Sequence, residues 1–352
     1  MVNPKIPIIT PPKTSPKTLL KTRIAPTPSG FLHIGNGASF VATWALARAC
    51  GGTVLLRIDD LDAERMRLEY VEDIFRTLDW LGLDWDEGAF SVEDFSKNWS
   101  QHLRLEAYQK ALKELQQTGD LYACTCSRKD IRVASTNGLY PNTCRNKRVL
   151  TAENTANYQQ TTAWRILVEE EKMVHFKMLK FERERLGNLK NFPNVALNTH
   201  LPPLSILTNF DKKNAISDIF SVNLSQQMGD FIVKQKKGLP AYQLASLVDD
   251  GLFNINFIVR GQDLLHSTAA QIFLAERLNY TPFLRTTFWH HPLLTDAQGV
   301  KLSKSEGSTS LLDFRKWNDS AAIVVKQAAA WLGLVDFEGE TALELVDFMK
   351  ML

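Results

Sequence analysis

Short strand-like runs alternate with helical patterns in the first 120 residues of the chain. The run Thr53–Ile58 is mostly apolar, as in a strand inside a parallel sheet, and a shorter run at Thr22–Ala25 precedes it. Apolar residues at helical spacing predict three helices, over Ala38–Cys50, Val71–Leu81 and Leu105–Leu115. Strand followed by helix, repeated in this way, predicts a doubly wound α/β domain with a parallel sheet.

A stretch of different character runs from residue 122 to residue 235. It contains three of the cysteines, a strand-like run at Thr162–Val168 and a polar stretch rich in Asn and Lys around residues 180–215. Because α/β patterns resume after it, we interpret this range as a lobe inserted between the two halves of one domain.

The second half of the α/β domain is predicted from five segments. They are a helix over Tyr242–Asp250, a strand over Ile255–Arg260, a helix over Ser267–Leu278, an apolar run at Phe288–Leu294 and a closing helical segment over Ala321–Leu332. The predicted organisation is therefore a flexible N-terminal arm (1–21), the first half of the domain (22–121), the inserted lobe (122–235), the second half (236–300), and a loop with a short C-terminal helical segment (301–352).

Composition narrows the class of protein without identifying it. Hydrophobic residues make up 44% and charged residues 23% of the chain, which is typical of a globular enzyme. The net charge of +2 is too small to indicate nucleic-acid binding. Because no apolar run is long enough for a membrane span and the Pro- and Lys-rich start lacks a secretory pattern, we expect a cytoplasmic monomer without a membrane partner.

A first candidate for chemistry is the turn Pro28–Asn36, between the first strand and the first helix. Glycine lets a phosphate approach the backbone, and the helix N-terminus behind the turn favours an anion. The imidazole of His33 can donate a hydrogen bond to that phosphate. The alternative is a histidine that only satisfies backbone groups at a tight turn.

A second candidate is the loop Lys301–Ser305, flanked by Gly299 and Gly307. Two lysines there suit a phosphoryl or adenylyl transition state, in which negative charge builds on phosphate oxygens. A solvated surface loop is the alternative for this motif alone. The two motifs come in order, however, one in each half of the α/β domain, and this arrangement favours a shared site.

Taken together, the two motifs resemble the signatures of a known protein family. His-Ile-Gly-Asn at 33–36 and Lys-Leu-Ser-Lys-Ser at 301–305 resemble the HIGH and KMSKS signatures of class I aminoacyl-tRNA synthetases. Four flanking blocks are similar to the glutamyl branch of that class, namely Arg23–Gly30, Leu56–Asp62, Tyr242–Asp250 and Val259–Asp263. The resemblance covers residues 22 to about 310. It implies a Rossmann-like nucleotide-binding domain that uses L-glutamate, ATP with Mg²⁺, and a tRNA.

The resemblance also implies individual roles. The glutamate pocket would be lined by Arg23, Ile24, Ala25, Pro26, Thr27, Asp59, Tyr242 and Arg260. ATP would contact His33, Gly35, Asn36 and Lys304, with His33, Lys301 and Lys304 as the catalytic residues. These residue types suit the substrate, because the two arginines can pair with carboxylates and Asp59 with the ammonium, while Tyr242 offers a hydroxyl and an apolar wall.

Two positions depart from the family pattern. Asn36 stands where HIGH has its second histidine, and an amide can still donate a hydrogen bond. Asp59 stands where bacterial glutamyl enzymes usually carry Glu and the glutaminyl relative carries Asp. Arg260 replaces an uncharged Cys of the glutaminyl relative. Because a buried arginine without a carboxylate partner is costly, we expect glutamate as the substrate.

Three cysteines, Cys124, Cys126 and Cys144, fall within 21 residues. In a reducing compartment this spacing favours a structural zinc ion over a disulfide, although it leaves the fourth ligand open. The set Cys124, Cys126, Tyr140 and Cys144 is similar to the zinc site of the glutamyl-queuosine tRNA(Asp) synthetase family, which implies Tyr140 as that ligand. Cys50, in an apolar helix, is interpreted as packing.

The same family is indicated by the 47 residues after Ser305, too few for the anticodon-binding lobes of a full glutamate–tRNA ligase. Its members activate glutamate without tRNA and then esterify queuosine at the wobble position, holding the anticodon loop of tRNA(Asp). Three alternatives stay open: a minimal ligase that charges the 3′ end of a tRNA, a small-molecule nucleotidyltransferase, and a non-catalytic RNA-binding relative.

Overall fold

A computed structural model describes residues 19–146, 150, 162–179, 217–294, 310–317, 320–334 and 336–352. Its strands are β1 (Lys21–Ile24), β2 (Thr53–Leu56), β3 (Glu87–Gly88), β4 (Leu121–Cys124), β5 (Ala163–Ile166), β6 (Met173–Leu179), β7 (Ser217–Asn223), β8 (Phe231–Lys234), β9 (Phe257–Gly261) and β10 (Thr287–His291). Its helices are α1 (Ile34–Ala49), α2 (Leu68–Trp80), α3 (Val92–Asp94), α4 (Leu105–Gln117), α5 (Arg128–Ala134), α6 (Leu224–Gln227), α7 (Tyr242–Leu252), α8 (Leu265–Arg277), α9 (Thr281–Leu284), α10 (Leu311–Trp317), α11 (Ala322–Trp331) and α12 (Ala342–Met351). Within the described ranges, none of these helices combines the length and the hydropathy that a membrane span requires.

Two sets of strands form the central layer. β1, β2 and β3 are parallel neighbours, with Lys21 opposite Thr53 and Leu55 opposite Glu87. β9, β10 and β6 are also parallel, and β7 adds an antiparallel edge. The backbone N–H of Asn256, just before β9, donates to the carbonyl of Lys21 at 3.1 Å and joins the two sets. The strand order β3-β2-β1-β9-β10-β6-β7 confirms the predicted parallel α/β sheet.

Both faces of this layer are covered. On β9, Phe257 and Val259 pack in a core that also contains α1, α2, α11 and α12. The intervening Ile258 packs in a second core with α4, α7 and α8. A strand buried on both faces needs a continuous apolar run, and for this reason the sequence pattern indicated the strand clearly. The strand order reverses between β1 and β9, and in such sheets ligands bind at the carboxyl ends of the strands at this point.

The predicted inserted lobe differs from the structure in one respect. β4, β5 and β8 form a separate antiparallel sheet, but β6 and β7 extend the central layer. Thr287 of β10 lies opposite Lys177 of β6, and the ring of Phe176 contacts that of Phe288 at 5.6 Å. β6 is therefore part of the main sheet, and the apolar side chain of Phe176 packs against a side chain of that sheet. The polar stretch predicted around 180–215 lies outside the described residues.

The first helix begins earlier than predicted, at Ile34 and not at Ala38. The side-chain oxygen of Asn36 accepts the backbone N–H of His33 at 3.1 Å, which closes the first turn despite its glycines. Gly37 has a packing role, because an added Cβ would lie 2.9 Å from atoms of Leu311 and Val324. The glycine thus lets the C-terminal helices approach α1.

Asp249 anchors α4 to α7 beneath the sheet and is fully buried. Its carboxylate accepts from Arg104 Nε at 2.8 Å, Gln101 Nε2 at 2.8 Å and the Tyr108 hydroxyl at 2.7 Å. Burial and the nearby carboxylate raise the pKa of Tyr108, so its hydroxyl stays a donor. We predict that Tyr108→Phe lowers the free energy of unfolding by about 1.5–3 kcal/mol, the usual contribution of a hydrogen bond to a charged group.

Denaturant unfolding measures this loss, and Tyr70→Phe is a suitable control. The Tyr70 ring packs edge-on against Phe31, and its hydroxyl makes no hydrogen bond with the described part of the chain. Equal unfolding energies for the two variants would contradict the anchoring role of Tyr108.

Candidate active site

A cavity of about 400 Å³ opens at the carboxyl ends of β1 and β9, where the strand order reverses. Its walls come from the end of β1, the start of α1, the end of β2, the first residue of α7, the end of β9 and the segment after β10. These elements are far apart in sequence but meet here because parallel strands share one carboxyl edge.

The cavity brings together ten of the predicted site residues. They are Arg23, Ile24, Ala25, Thr27, His33, Gly35, Asn36, Asp59, Tyr242 and Arg260. Pro26 is not among the residues that line it. Lys301 and Lys304 lie outside the described residues. The roles assigned to all these residues remain predictions.

Arginines from both halves of the domain meet at one buried carboxylate. Asp250 Oδ1 accepts from Arg23 Nε at 3.0 Å and from Arg57 Nη1 at 2.7 Å. Arg23 Nη1 also donates to the carbonyl of Val259 at 3.3 Å, which ties β1 to β9. Burial alone would raise the pKa of Asp250, but Arg57, Arg23 and Arg260 outweigh it and lower that pKa. Asp250 therefore stays ionised.

Arg260 differs from the other two arginines because part of its guanidinium lacks a partner. Nη1 donates to Gln271 at 2.9 Å and to Thr268 at 3.3 Å. Nε and Nη2 are buried without a hydrogen-bond partner among the described residues, and Nη2 lies 4.0 Å from Asp250 Oδ2. Buried N–H groups of a cation need acceptors, so this geometry suits a bound carboxylate.

The charge of Arg260 persists at neutral pH. Burial, together with repulsion from Arg23 and Arg57, lowers the pKa of Arg260 to about 10, against the opposing effects of Tyr242 and Asp250. The side chain is only 4% exposed. A protonated guanidinium in this setting attracts an anion much more strongly than a surface arginine would, because little water screens it.

Asp59 lines the cavity but is already paired with an arginine. Its oxygens accept from Arg57 Nε at 2.7 Å and Nη2 at 3.0 Å, and Nη2 also donates to the Ser246 hydroxyl at 3.2 Å. Burial raises the pKa of Asp59 even though Arg57 opposes the shift. Arg57, which follows β2, thus fixes the orientation of Asp59, the predicted partner of the ammonium.

The turn before α1 and the first residues of α1 line another side of the cavity. An added Cβ on Gly35 would lie 3.0 Å from Cε1 of His33, so the glycine allows the imidazole to pack over the start of the helix. His33 pairs with Ser310 in an isolated β-bridge, and Leu294 lines the cavity. The described chain on both sides of residues 295–309 therefore borders this site.

Sequence reasoning missed several lining residues, among them Ser39, Asp263, His291 and Trp331. The rings of His291 and Trp331 stack with centroids 4.1 Å apart and planes 12° apart. Asp263 belonged to a family-like block and could have been found from it. No local pattern indicates His291 or Trp331, because their contact joins β10 to a C-terminal helix.

The three cysteines converge at the end of β4, away from this cavity. The sulfur of Cys126 lies 3.6 Å from that of Cys144, and the Tyr140 oxygen lies 3.4 Å from the sulfur of Cys124 and 3.8 Å from that of Cys126. Tetrahedral zinc with bonds of about 2.3 Å to sulfur would place two sulfurs about 3.8 Å apart. The three thiols and the phenol oxygen therefore fit a zinc ion.

The environment of Cys144 favours a thiolate. Burial would raise its pKa, but hydrogen bonds involving the Tyr140 hydroxyl, the Thr125 backbone and the other two cysteines lower the pKa of Cys144 to about 7. Because a metal-binding thiol must lose its proton, a lowered pKa eases the binding of a cation. The guanidinium of Arg165 lies 3.6 Å from the centre of the Tyr140 ring and holds that ring in place.

Comparison with known proteins agrees with this architecture. Residues 19–180 and 211–349 match the family of tRNA synthetases class I (E and Q), catalytic domain. A glutamyl-Q tRNA(Asp) synthetase of Symbiobacterium thermophilum is 34% identical over 323 residues, which cover 90% of this chain and 88% of that protein. A glutamate–tRNA ligase 2 of Acidithiobacillus ferrooxidans is 32% identical over 84% of this chain, which spans only 55% of the ligase.

The fold has a counterpart among solved structures. A glutamate tRNA ligase from Elizabethkingia meningosepticum superposes with a TM-score of 0.63 at 18% identity, covering 93% of this chain and 64% of that one. At this identity the likeness concerns the fold alone. The family match, by contrast, covers most of the sequence and both halves of the sheet. The chain therefore belongs to the catalytic-domain family of class I tRNA synthetases for glutamate and glutamine, ligases that form aminoacyl esters.

Proposed function

We propose that this protein activates L-glutamate with ATP and transfers it to queuosine at the wobble position of tRNA(Asp). The observation that carries the first step is the buried guanidinium of Arg260 beside the cavity, because its Nε and Nη2 have no hydrogen-bond partner among the described residues. A second carboxylate on the substrate would satisfy these groups, whereas the amide of glutamine would leave the cation unneutralised. Asp59, oriented by Arg57, is the proposed partner of the substrate ammonium.

Activation proceeds by in-line attack. An oxygen of the glutamate α-carboxylate forms a bond to the α-phosphorus of ATP, and the bond from that phosphorus to pyrophosphate breaks. The start of α1 and His33 face the phosphates, and Lys301 and Lys304 neutralise the charge that develops on them. Magnesium ion, bound with ATP, supplies further neutralisation of the phosphates. Positioning and electrostatics therefore supply the catalysis, and no covalent enzyme intermediate is needed.

The second step transfers the glutamyl group to RNA. A hydroxyl oxygen of the cyclopentene-diol of queuosine forms a bond to the activated carboxyl carbon, and the bond from that carbon to the phosphate oxygen of AMP breaks. The hydroxyl proton passes to the phosphate of the leaving AMP. The match to a glutamyl-Q tRNA(Asp) synthetase over 90% of this chain supports this acceptor. We also propose that Cys124, Cys126, Tyr140 and Cys144 hold a structural zinc ion that fixes the lobe of β4, β5 and β8.

A second candidate is a ligase that charges the 3′ end of a tRNA. The 32% identity to a glutamate–tRNA ligase 2 favours it. Both candidates share the first chemical step and differ only in the acceptor. The choice between them therefore rests on the RNA and not on the amino-acid pocket.

For the amino-acid pocket, we predict that Arg260→Gln lowers kcat/KM for glutamate by about 100-fold or more. Two hydrogen bonds to a charged group, each contributing about 1.5–3 kcal/mol, are lost. Glutamate-dependent ATP–pyrophosphate exchange measures this effect, and the preference for glutamate over glutamine should fall with it. Arg285→Gln, at an exposed arginine, is the matched control. An unchanged KM for glutamate in Arg260→Gln would remove Arg260 from substrate binding.

For the acceptor, we expect glutamylation of tRNA(Asp) that carries queuosine and none of the same tRNA without it. Incorporation of labelled glutamate into the two RNAs measures the difference. Removal of the terminal adenosine should leave the reaction intact, because the acceptor lies in the anticodon loop. Charging of queuosine-free tRNA(Glu) would instead support the 3′-end ligase.

For the metal, we predict about one zinc ion per purified chain and its loss in Cys144→Ser. The substitution removes one of the converging thiols, and structural zinc sites contribute directly to folding. Elemental analysis and thermal unfolding give the two readouts. Cys50→Ser changes a cysteine outside the cluster and should retain the zinc. A wild-type protein purified without zinc, and unable to take it up, would contradict the site.

A further inference from the structure

One part of the cavity wall carries no charged side chain among its described residues. It is formed by Ser39, Phe40, Thr43, His291, Leu294 and Trp331. The arginine wall suits the amino acid and the start of α1 suits phosphates, so this third wall suits a flat neutral ring. On the proposed function that ring is the base of ATP, and the following inference rests on that use of ATP.

Hydrogen bonding fixes the tautomer of His291. Its Nδ1 lies 2.8 Å from the carbonyl oxygen of Pro292, and a carbonyl only accepts, so Nδ1 carries the proton. Burial lowers the pKa of His291 to about 4, against the opposing effects of that carbonyl and of Asp263. The ring is therefore neutral near pH 7, and Nε2 has a lone pair and no proton.

The tautomer of His291 in turn fixes the orientation of the Ser39 hydroxyl. The Ser39 hydroxyl lies 3.0 Å from Nε2 of His291, and because Nε2 can only accept, the hydroxyl donates its single proton to the histidine. The oxygen of Ser39 then presents only lone pairs to the cavity. A ligand group that meets this oxygen must be a donor.

We propose that Ser39, oriented by His291, makes the cavity selective for a purine that carries an amino group at position 6. The amino group of adenine donates to the Ser39 oxygen. Hypoxanthine and guanine carry an oxygen there, and two acceptors would face each other. Sites built to hydrogen-bond one substrate group discriminate strongly against analogues that lack it, because buried polar groups are left unpaired. Ser39 is thus a specificity residue, and His291 is a positioning residue that acts through it.

The test compares ATP with inosine triphosphate, which has an oxygen at position 6, in glutamate-dependent pyrophosphate exchange by the full chain. We expect Ser39→Ala to reduce the ATP-to-inosine-triphosphate ratio of kcat/KM about tenfold, through loss of ATP activity. We expect His291→Phe to reduce the same ratio through a gain with inosine triphosphate, because the freed Ser39 hydroxyl can rotate and donate to the oxygen. Phenylalanine keeps a ring for stacking on Trp331.

Trp331→Phe is the control for stacking, since it changes ring contact and no hydrogen bond of Ser39. It should affect both nucleotides alike. An unchanged ratio in both Ser39→Ala and His291→Phe overturns the proposal. An equal fall of kcat/KM for both nucleotides in Ser39→Ala also overturns the proposal, because it would indicate that Ser39 contacts the sugar or the phosphates. If His291→Phe fails to fold, the Ser39→Ala ratio decides.

Calorimetric titration with ATP and with inosine triphosphate separates this inference from the proposed function. It measures base selectivity in binding, which needs no glutamate and no catalysis. Selective binding of ATP that is lost in Ser39→Ala would support the inference even for a protein that shows no exchange with glutamate. Exchange that depends on glutamate, with no base selectivity, would leave the proposed function standing and overturn the inference.

Discussion

The site depends on one buried carboxylate. Asp250 is fully buried, accepts hydrogen bonds from Arg23 on β1 and Arg57 after β2, and lies near Arg260 on β9. Without this anion, three guanidinium groups would repel one another in a region of low dielectric, where desolvated like charges are costly. Arg23 also donates to the carbonyl of Val259 and so holds β1 against β9 at the point where the strand order reverses. The residues that balance the charge of the site therefore also fix the position of β1 relative to β9.

The three arginines around Asp250 differ in how many of their N–H groups have partners. Arg23 uses Nε and Nη1 on Asp250 and Val259, and Arg57 uses its guanidinium on Asp59, Asp250 and Ser246. Arg260 donates only through Nη1 within the described part of the chain, and its buried Nε and Nη2 have no hydrogen-bond partner there. Asp250 partly offsets the repulsion by which Arg23 and Arg57 lower the pKa of Arg260.

The sequence predicted features that arise from local pattern or from contiguous blocks. The apolar run at Thr53–Ile58 indicated a buried strand, and the family-like blocks together with the His-Ile-Gly-Asn motif predicted ten of the residues that line the cavity. Features that depend on long-range contact were not predictable in this way. The strands β6 and β7 join the main sheet through pairing with β10, and no periodicity within them indicates that partner. The contact between His291 on β10 and Trp331 on α11 likewise depends on tertiary packing.

The C-terminal helices consequently belong to the active-site architecture. Gly37 allows Leu311 and Val324 to pack closely on α1, and α11 places Trp331 against His291 on the cavity wall. His291 in turn determines which way the Ser39 hydroxyl points. A change in helix packing at α11 would therefore alter the cavity through a ring stack and one hydrogen bond, without touching the arginine cage. The part of the cavity lined by the arginines and the part lined by Ser39, His291 and Trp331 are thus held by separate interactions, namely ion pairs in the first and a ring stack with a hydrogen bond in the second.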